Sequence, residues 1–265
     1  MTRPEPRPGP VTGEGFTEIA DRLWVARYAE WDVNVTVLEG ERGLLVVDTM
    51  GSDETVRVLL GDLRRLSRRD VVAVVNTHEH FDHVHGNDRL REVWPGLPVH
   101  AHEDADIPDA DTRFASVALV DLGDRLVELV HPGRGHTGGD LVVRVDDCDV
   151  VLAGDLVEES AAPAYGVDSF PFDWPGSLDL VVGLLTERTL VVPGHGAPVD
   201  RQFVLDQRDD VGTVAETFRD LVTRGVPESE ALASAEWPFP TDGLQQAVAR
   251  AYAQLERPRP QLPLA

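Results

Sequence analysis

The sequence contains no lysine: its 24 basic residues are all arginine, against 47 acidic residues. A Schiff base with pyridoxal phosphate, a Walker phosphate-binding loop and a Ser-x-x-Lys catalytic pair each require a lysine, so these three chemistries are excluded. The formal net charge is 24 − 47 = −23. Because such a charge repels phosphate backbones and anionic lipid headgroups, we expect neither nucleic acid nor a membrane as a partner.

Cysteine and long apolar runs are also scarce. The single cysteine, Cys148, cannot form an internal disulfide, and its neighbours Asp147 and Asp149 disfavour a reactive thiolate. No apolar run approaches the ~18 residues that a membrane helix needs. We therefore expect a cytoplasmic protein.

Residues 1–15 contain four prolines and are predicted to be a disordered lead-in, and residues 257–265 are predicted to be a flexible tail.

A single domain is predicted over residues 16–256, in which strand and helix patterns interleave without an internal repeat. The predicted strands are 23–28, 33–38, 44–47, 71–75, 97–101, 116–120, 125–130, 141–145, 150–153 and 190–192. One predicted helix starts after Ser52, and four others span residues 87–94, 177–186, 211–223 and 243–255. This order favours an α/β fold with two sheets and helices outside them, although a single doubly wound sheet fits the same pattern.

Three of the nine histidines lie within the six-residue run HEHFDH at 78–83. On an extended backbone His78 and His80 project to the same side, and a turn after them can bring Asp82 and His83 toward a second point. By the same alternation, Glu79 is predicted to point away. Imidazole and carboxylate groups are metal ligands, so the run predicts a metal site.

Three distant segments supply matching groups, each next to glycine near the end of a predicted strand. These groups are His136, Asp155 and His195. Glycine lets the backbone approach a crowded centre, and a ligand at a strand end is held by a rigid element. The recurrence predicts one site built from all four segments.

The pattern His-x-His-x-Asp-His, with these three residues after it and Asp48 after the third predicted strand, resembles the metallo-β-lactamase superfamily. The resemblance covers about Phe16 to His195 and implies a four-layer αββα sandwich of two mixed β-sheets, with the active site at one edge between them. It implies that Asp48 orients the histidine loop. The implied ligands are His78, His80 and His136 for one metal, Asp82, His83 and His195 for the other, and a bridging Asp155.

This ligand set implies hydrolysis by a metal-bound hydroxide. Five neutral imidazoles and two carboxylates leave a net positive centre when two divalent ions bind, and the pKa of a bound water then falls to ~7. Asp82 is expected to orient this hydroxide, which makes it the predicted catalytic residue. Two Zn²⁺ are the expected cofactors, although nitrogen and oxygen ligands also suit iron and manganese.

Differences from known subfamilies narrow the expected substrate. The commonest zinc β-lactamases carry cysteine where Asp155 stands and use a lysine to hold the drug's carboxylate. The aspartate resembles that of glyoxalase II and related hydrolases, whereas lactonases have tyrosine at the position of Glu158. We predict a hydrolase of a small ester, thioester, lactone or related substrate. The alternatives are an iron-dependent oxidoreductase similar to the sulfur dioxygenases and a non-catalytic, metal-dependent ligand binder.

Residues 156–175 are predicted to form a loop that carries four aromatic side chains. These side chains either line the substrate pocket or pack in the interior or in a dimer contact. They are Tyr165, Phe170, Phe172 and Trp174.

His85 is a candidate for the edge of the metal site, with a structural role as the alternative, and Arg134 is assigned to a surface ion pair or to a substrate carboxylate. The sequence does not indicate the oligomeric state.

Overall fold

The structure, a computed structural model, describes residues 15–256, so the predicted lead-in (except Gly15) and the predicted tail lie outside the described residues. The strands are β1 Thr17–Ala20, β2 Leu23–Tyr28, β3 Val33–Gly40, β4 Gly43–Val47, β5 Val71–Val75, β6 Val99–His102, β7 Thr112–Phe114, β8 Val117–Asp121, β9 Leu126–Val130, β10 Val142–Val145, β11 Val150–Glu158 and β12 Leu190–His195. The α-helices are α1 Asp53–Leu66, α2 Phe81–Val84, α3 Asn87–Val93, α4 Trp174–Leu184, α5 Arg201–Thr223 and α6 Gln245–Glu256.

The strands pair in the order β7-β6-β5-β4-β3-β12-β11-β10-β9-β8, and β2 links β1 to β3. Strands β3 and β12 are joined at one residue pair, Val33 opposite His195, so the array divides there into two halves. Each half mixes parallel and antiparallel pairs: β4–β5 and β11–β12 are parallel, whereas β3–β4 and β10–β11 are antiparallel.

Three apolar clusters show how these halves pack. The central cluster joins side chains of both halves, such as Leu45 from β4 and Leu129 from β9. A second cluster lies beneath α1 and α3, and a third beneath α4, α5 and α6. In β4, alternate residues such as Leu44 face the helices and the others face the opposite half, which is why the strand is apolar on both faces. The fold is therefore the α/β, four-layer αββα sandwich.

Several elements differ from the sequence predictions. Strand β11 continues to Glu158, beyond the predicted strand 150–153, so Asp155 lies within a strand. Helix α5 begins at Arg201, ten residues before the predicted start of 211–223, because its first half buries few apolar side chains and gives weak periodicity. None of the helices in residues 15–256 is long and apolar enough to span a bilayer.

Candidate metal centre

One group of side chains gathers at the edge where the two halves meet. His78, His80, His136 and Asp155 each offer a ligand atom within 4.8 Å of the others. His80 Nδ1 lies 2.8 Å from His136 Nε2, which in turn lies 3.4 Å from Asp155 Oδ2. Ligands bound at ~2.1 Å to one tetrahedral ion are ~3.4 Å apart, so these spacings suit a single ion.

A second group adjoins the first through the same aspartate. Asp82, His83 and His195 are within 4.8 Å of one another by their ligand atoms. Asp155 Oδ1 lies 3.2 Å from His83 Nε2, and Asp155 Oδ2 lies 3.2 Å from His195 Nε2. The structure thus brings all seven predicted ligands together, with Asp155 in reach of both groups.

Local backbone geometry makes this convergence possible. His78 follows β5, and helix α2 turns Asp82 and His83 back toward it. The neighbouring strands β11 and β12 carry Asp155 and His195. A Cβ atom on Gly194 would lie 1.8 Å from Asp155 Oδ1, so this approach requires glycine.

Each ligand histidine has its other ring nitrogen held by a neighbouring acceptor. A backbone or carboxylate oxygen that accepts from one ring nitrogen leaves the other free for a metal and fixes the ring orientation. The pairs are His80 Nε2 with Asp168 (2.9 Å), His83 Nδ1 with Asp48 (2.9 Å), His136 Nδ1 with the Ala164 carbonyl (2.9 Å) and His195 Nδ1 with the Trp31 carbonyl (2.7 Å).

Asp48 braces two of these histidines at once. Its carboxylate accepts from the Thr77 backbone N–H and hydroxyl, each at 2.9 Å, as well as from His83. Because the Thr77 hydroxyl donates to Asp48, it accepts from His78 Nδ1 at 3.0 Å. Asp48 is buried and has φ 64, a left-handed conformation that a non-glycine residue adopts at a cost.

Two buried atoms of the centre lack hydrogen-bond partners. His78 Nε2 and Asp155 Oδ1 are both shielded from solvent, and neither forms a hydrogen bond. A buried polar atom without a partner is costly, and a cation between these atoms would remove that cost. The five imidazoles and two carboxylates therefore fit divalent metal ions.

The histidines of the two groups differ in their pKa values. Burial lowers the pKa of His136 to about 4 and that of His78 well below its ordinary value. Burial acts on His195 too, but the hydrogen bond and charge of Asp155 outweigh it and raise the pKa to about 9. In His83, Asp155 and Asp48 likewise outweigh burial and raise the pKa well above its ordinary value. The second group is thus the more strongly protonated one.

The four predicted substrate aromatics lie mostly in the interior. Trp174 and Tyr165 are buried in the core, and the Trp174 ring is 5.7 Å from that of His136. A buried side chain presents no surface to a substrate, so for these two residues the interior alternative describes the structure. Phe170 and Phe172 are half-buried beneath the guanidinium groups of Arg134 and Arg219, respectively.

The remaining candidates lie outside both ligand groups. His85 is paired with Asp53 at 3.1 Å on an exposed surface. Arg134 is paired with Asp173 at 2.9 Å. Glu79 is half-buried and belongs to neither group.

Sequence reasoning missed two features of the site. The first is Asp168, the partner of His80, which no pattern distinguishes from the other acidic residues. The second is an aromatic lip formed by Trp31 and Phe81, whose rings meet edge to face at 5.1 Å. They are 56% and 53% exposed, and both adjoin the centre, since the Trp31 carbonyl holds His195 and Phe81 lies between two ligands.

An αββα fold with a histidine- and aspartate-lined centre between its sheets is typical of metal-dependent hydrolases. The profile of the metallo-beta-lactamase superfamily matches residues 28–195, and the chain belongs to this superfamily. It is 28% identical over 187 residues to a metallo-beta-lactamase type 2 of Bacillus cereus, covering 66% of this chain and 72% of that protein.

The chain is also similar to a second named hydrolase in sequence and to a solved metallo-beta-lactamase in structure. A hydroxyacylglutathione hydrolase of Gloeobacter violaceus is 34% identical over 130 residues, covering 48% of this chain and 49% of that protein. The solved structure of a metallo-beta-lactamase from Pontibacter korlensis superposes with a TM-score of 0.66 and 23% identity, covering 74% of this chain and 98% of that one. The chain is a metallo-hydrolase of this superfamily.

Proposed function

We propose that the protein is a dinuclear, zinc-dependent hydrolase of a small ester, thioester or lactone. The observation that carries this proposal is the position of Asp155. Its Oδ1 lies 3.2 Å from His83 and its Oδ2 lies 3.2 Å from His195, both in the second group. The same Oδ2 lies 3.4 Å from His136 and 3.7 Å from His78, two histidines of the first group. A carboxylate shared in this way can bridge two ions.

The residues of the site have different roles in the proposed reaction. When bound, two divalent ions would supply an activated water and polarise the scissile carbonyl. Asp82, whose Oδ2 lies 3.4 Å from His195 Nε2, would accept a hydrogen bond from that water and orient it. Asp48 and Asp168 hold the histidine rings. The aromatic lip would contact an apolar part of the substrate.

The choice of an ester or thioester follows from two residue differences. Asp155 stands where the commonest zinc β-lactamases carry a cysteine. The sequence also has no lysine to bind a drug's carboxylate. The Gloeobacter violaceus relative is by name a hydrolase of hydroxyacylglutathione, a thioester.

A substrate panel tests the proposal. The protein, purified with its native metal, is assayed on aryl esters, thioesters, lactones and phosphodiesters before and after chelation. We expect turnover of an ester or thioester that chelation abolishes and zinc restores. One iron per chain with oxygen uptake on a persulfide would favour the oxidoreductase instead. Tight metal binding without activity on any substrate would favour the ligand binder.

The aromatic lip leads to a prediction about substrate size. Trp31 has φ 63, which glycine adopts without strain, so Trp31→Gly removes the indole and keeps the turn. We expect kcat/KM for a phenylacetyl ester to fall by about tenfold relative to an acetyl ester, because the lost contact is about 1.4 kcal/mol. Leu119→Ala, which alters an exposed residue of β8, is the matched control. An equal loss for both esters would contradict a substrate contact.

A further inference from the structure

A short turn at residues 166–170 carries the carboxylate that holds His80. Asp168 Oδ2 lies 2.9 Å from His80 Nε2. Ser169 is fully buried, and its backbone N–H and hydroxyl both donate to the Gly166 carbonyl, at 3.2 and 2.8 Å. Asp168 lies between the two residues that these hydrogen bonds join, so the position of its carboxylate depends on how the turn is held.

Helix α6 supplies a donor to this turn. Arg250 Nε donates to the Ser169 carbonyl at 2.8 Å, and the Arg250 guanidinium lies 5.2 Å from the centre of the Phe170 ring. Arg250 forms no ion pair with any of residues 15–256, so no carboxylate draws it away from the turn. The carbonyl of a buried residue is costly to leave without a donor, and a charged donor forms one of the stronger hydrogen bonds. Arg250 therefore fixes the turn that carries Asp168.

Phe170 joins the same turn to a second histidine of the first ligand group. Its backbone N–H donates at 2.8 Å to the carbonyl of Gly135, the residue before His136. Its ring packs against Gly138, where a Cβ atom would lie 3.6 Å from the ring, and the Arg134 guanidinium lies 4.3 Å from the ring centre. The turn thus adjoins the His136 loop as well as His80.

The packing of α6 gives Arg250 a fixed base. Ala251 is fully buried in the apolar cluster that α6 shares with α4 and α5. The Tyr252 hydroxyl donates to the Val226 carbonyl at 2.9 Å. Because α6 follows His195, the last of the seven predicted ligands along the chain, the first ligand group is supported by a segment that carries no ligand itself.

We propose that Arg250 is a positioning residue for the first ligand group. By holding the turn it fixes Asp168 and, through Asp168, the orientation of the His80 ring. This inference rests on the proposed function, because it requires a metal ion at this group. Loss of the hydrogen-bond partner of a ligand histidine typically lowers metal affinity by roughly 10–100-fold. Arg250 acts through such a partner and not on the ring itself, so we expect an effect at the lower end of that range.

Zinc titrations against a competing chelator measure the affinity of each binding step without any substrate. Asp168→Asn weakens the hydrogen bond to His80 and thereby identifies the step that belongs to the first group. Arg250→Met removes the donor and keeps a side chain of similar length. We expect it to lower the affinity of this step about tenfold, which is about 1.4 kcal/mol, and to leave the other step unchanged.

Two further variants show whether Arg250 acts through Asp168. Arg250→Lys keeps a donor for the carbonyl and should retain most of the affinity that Arg250→Met loses. The double variant Asp168→Asn with Arg250→Met should bind zinc no more weakly at this step than Asp168→Asn alone. Two residues that act through the same ring are expected to be non-additive in this way.

Arg219→Met is the matched control, because the Arg219 guanidinium of α5 lies 4.9 Å from the centre of the Phe172 ring and pairs with Glu216. It should keep the wild-type affinity at both steps. An unchanged affinity in Arg250→Met or in Asp168→Asn, an equal loss at both steps, or an additive loss in the double variant would each overturn the positioning role. A wild-type protein that binds only one zinc ion would instead contradict the proposed dinuclear function and leave the comparison of variants valid at that step.

Discussion

Replacing Asp155 with alanine is expected to release one of two metal ions and to lower turnover by a factor on the order of 10²–10³. The reason is geometric, since Asp155 is the group within 3.2 Å of His83 and His195 and within 3.7 Å of His78. Without it the second group keeps three ligands and loses the shared carboxylate that sets the distance between the ions. Metal content and kcat are measured on the same preparation.

Glu79→Gln is the control for this variant. Glu79 lies between two ligands in the sequence and is half-buried, yet it belongs to neither ligand group. The variant should keep both ions and most of the activity. Activity of Asp155→Ala near that of the wild type would refute the bridging role. An equal loss of metal from Glu79→Gln would show that the loop at 78–83 has a different geometry.

The two ligand groups are expected to take up metal with different pH dependence. A metal must displace the proton of a protonated imidazole, so affinity falls about tenfold for each pH unit below the pKa of that group. In the second group both histidines have raised pKa values, and that of His195 is about 9. In the first group the pKa of His80 is raised, but His78 and His136 have lowered values and are neutral near pH 7.

The first group should therefore fill before the second as pH rises. Between about pH 9 and 7, the proton of His195 alone is expected to weaken the second site by roughly 100-fold. Calorimetric zinc titrations in buffers of different ionisation enthalpy count the protons released at each site. His85→Gln, which alters an exposed histidine outside both groups, should release the same number. Two sites with the same pH slope would contradict the assignment.

The side chains that converge at the centre could be predicted because their signal is local and chemically rare. Three histidines and an aspartate in six residues have few other uses, and glycine marks the strands that approach them. The αββα fold was predicted from the resemblance that this motif carries. Hydrophobic patterning alone was equally compatible with a single doubly wound sheet. Asp48 likewise came from the resemblance, and the structure shows why it matters, since one carboxylate fixes both Thr77 and His83.

The substrate side of the site could not be predicted in this way. Burial of an aromatic side chain depends on tertiary packing: Trp174 begins α4 and is fully buried, whereas Trp31 sits in a left-handed turn and is 56% exposed. The sequence near each gives no sign of this difference. Asp168 reaches His80 across 88 positions of the chain, a contact that no local spacing encodes.

We propose that seven side chains from four segments hold two metal ions. Anomalous diffraction at the zinc edge from crystals of the zinc-loaded protein measures this most directly. We expect two peaks ~3.5–4 Å apart, one among His78, His80 and His136, the other among Asp82, His83 and His195, with Asp155 between them. A single peak, or peaks outside these residues, would contradict it.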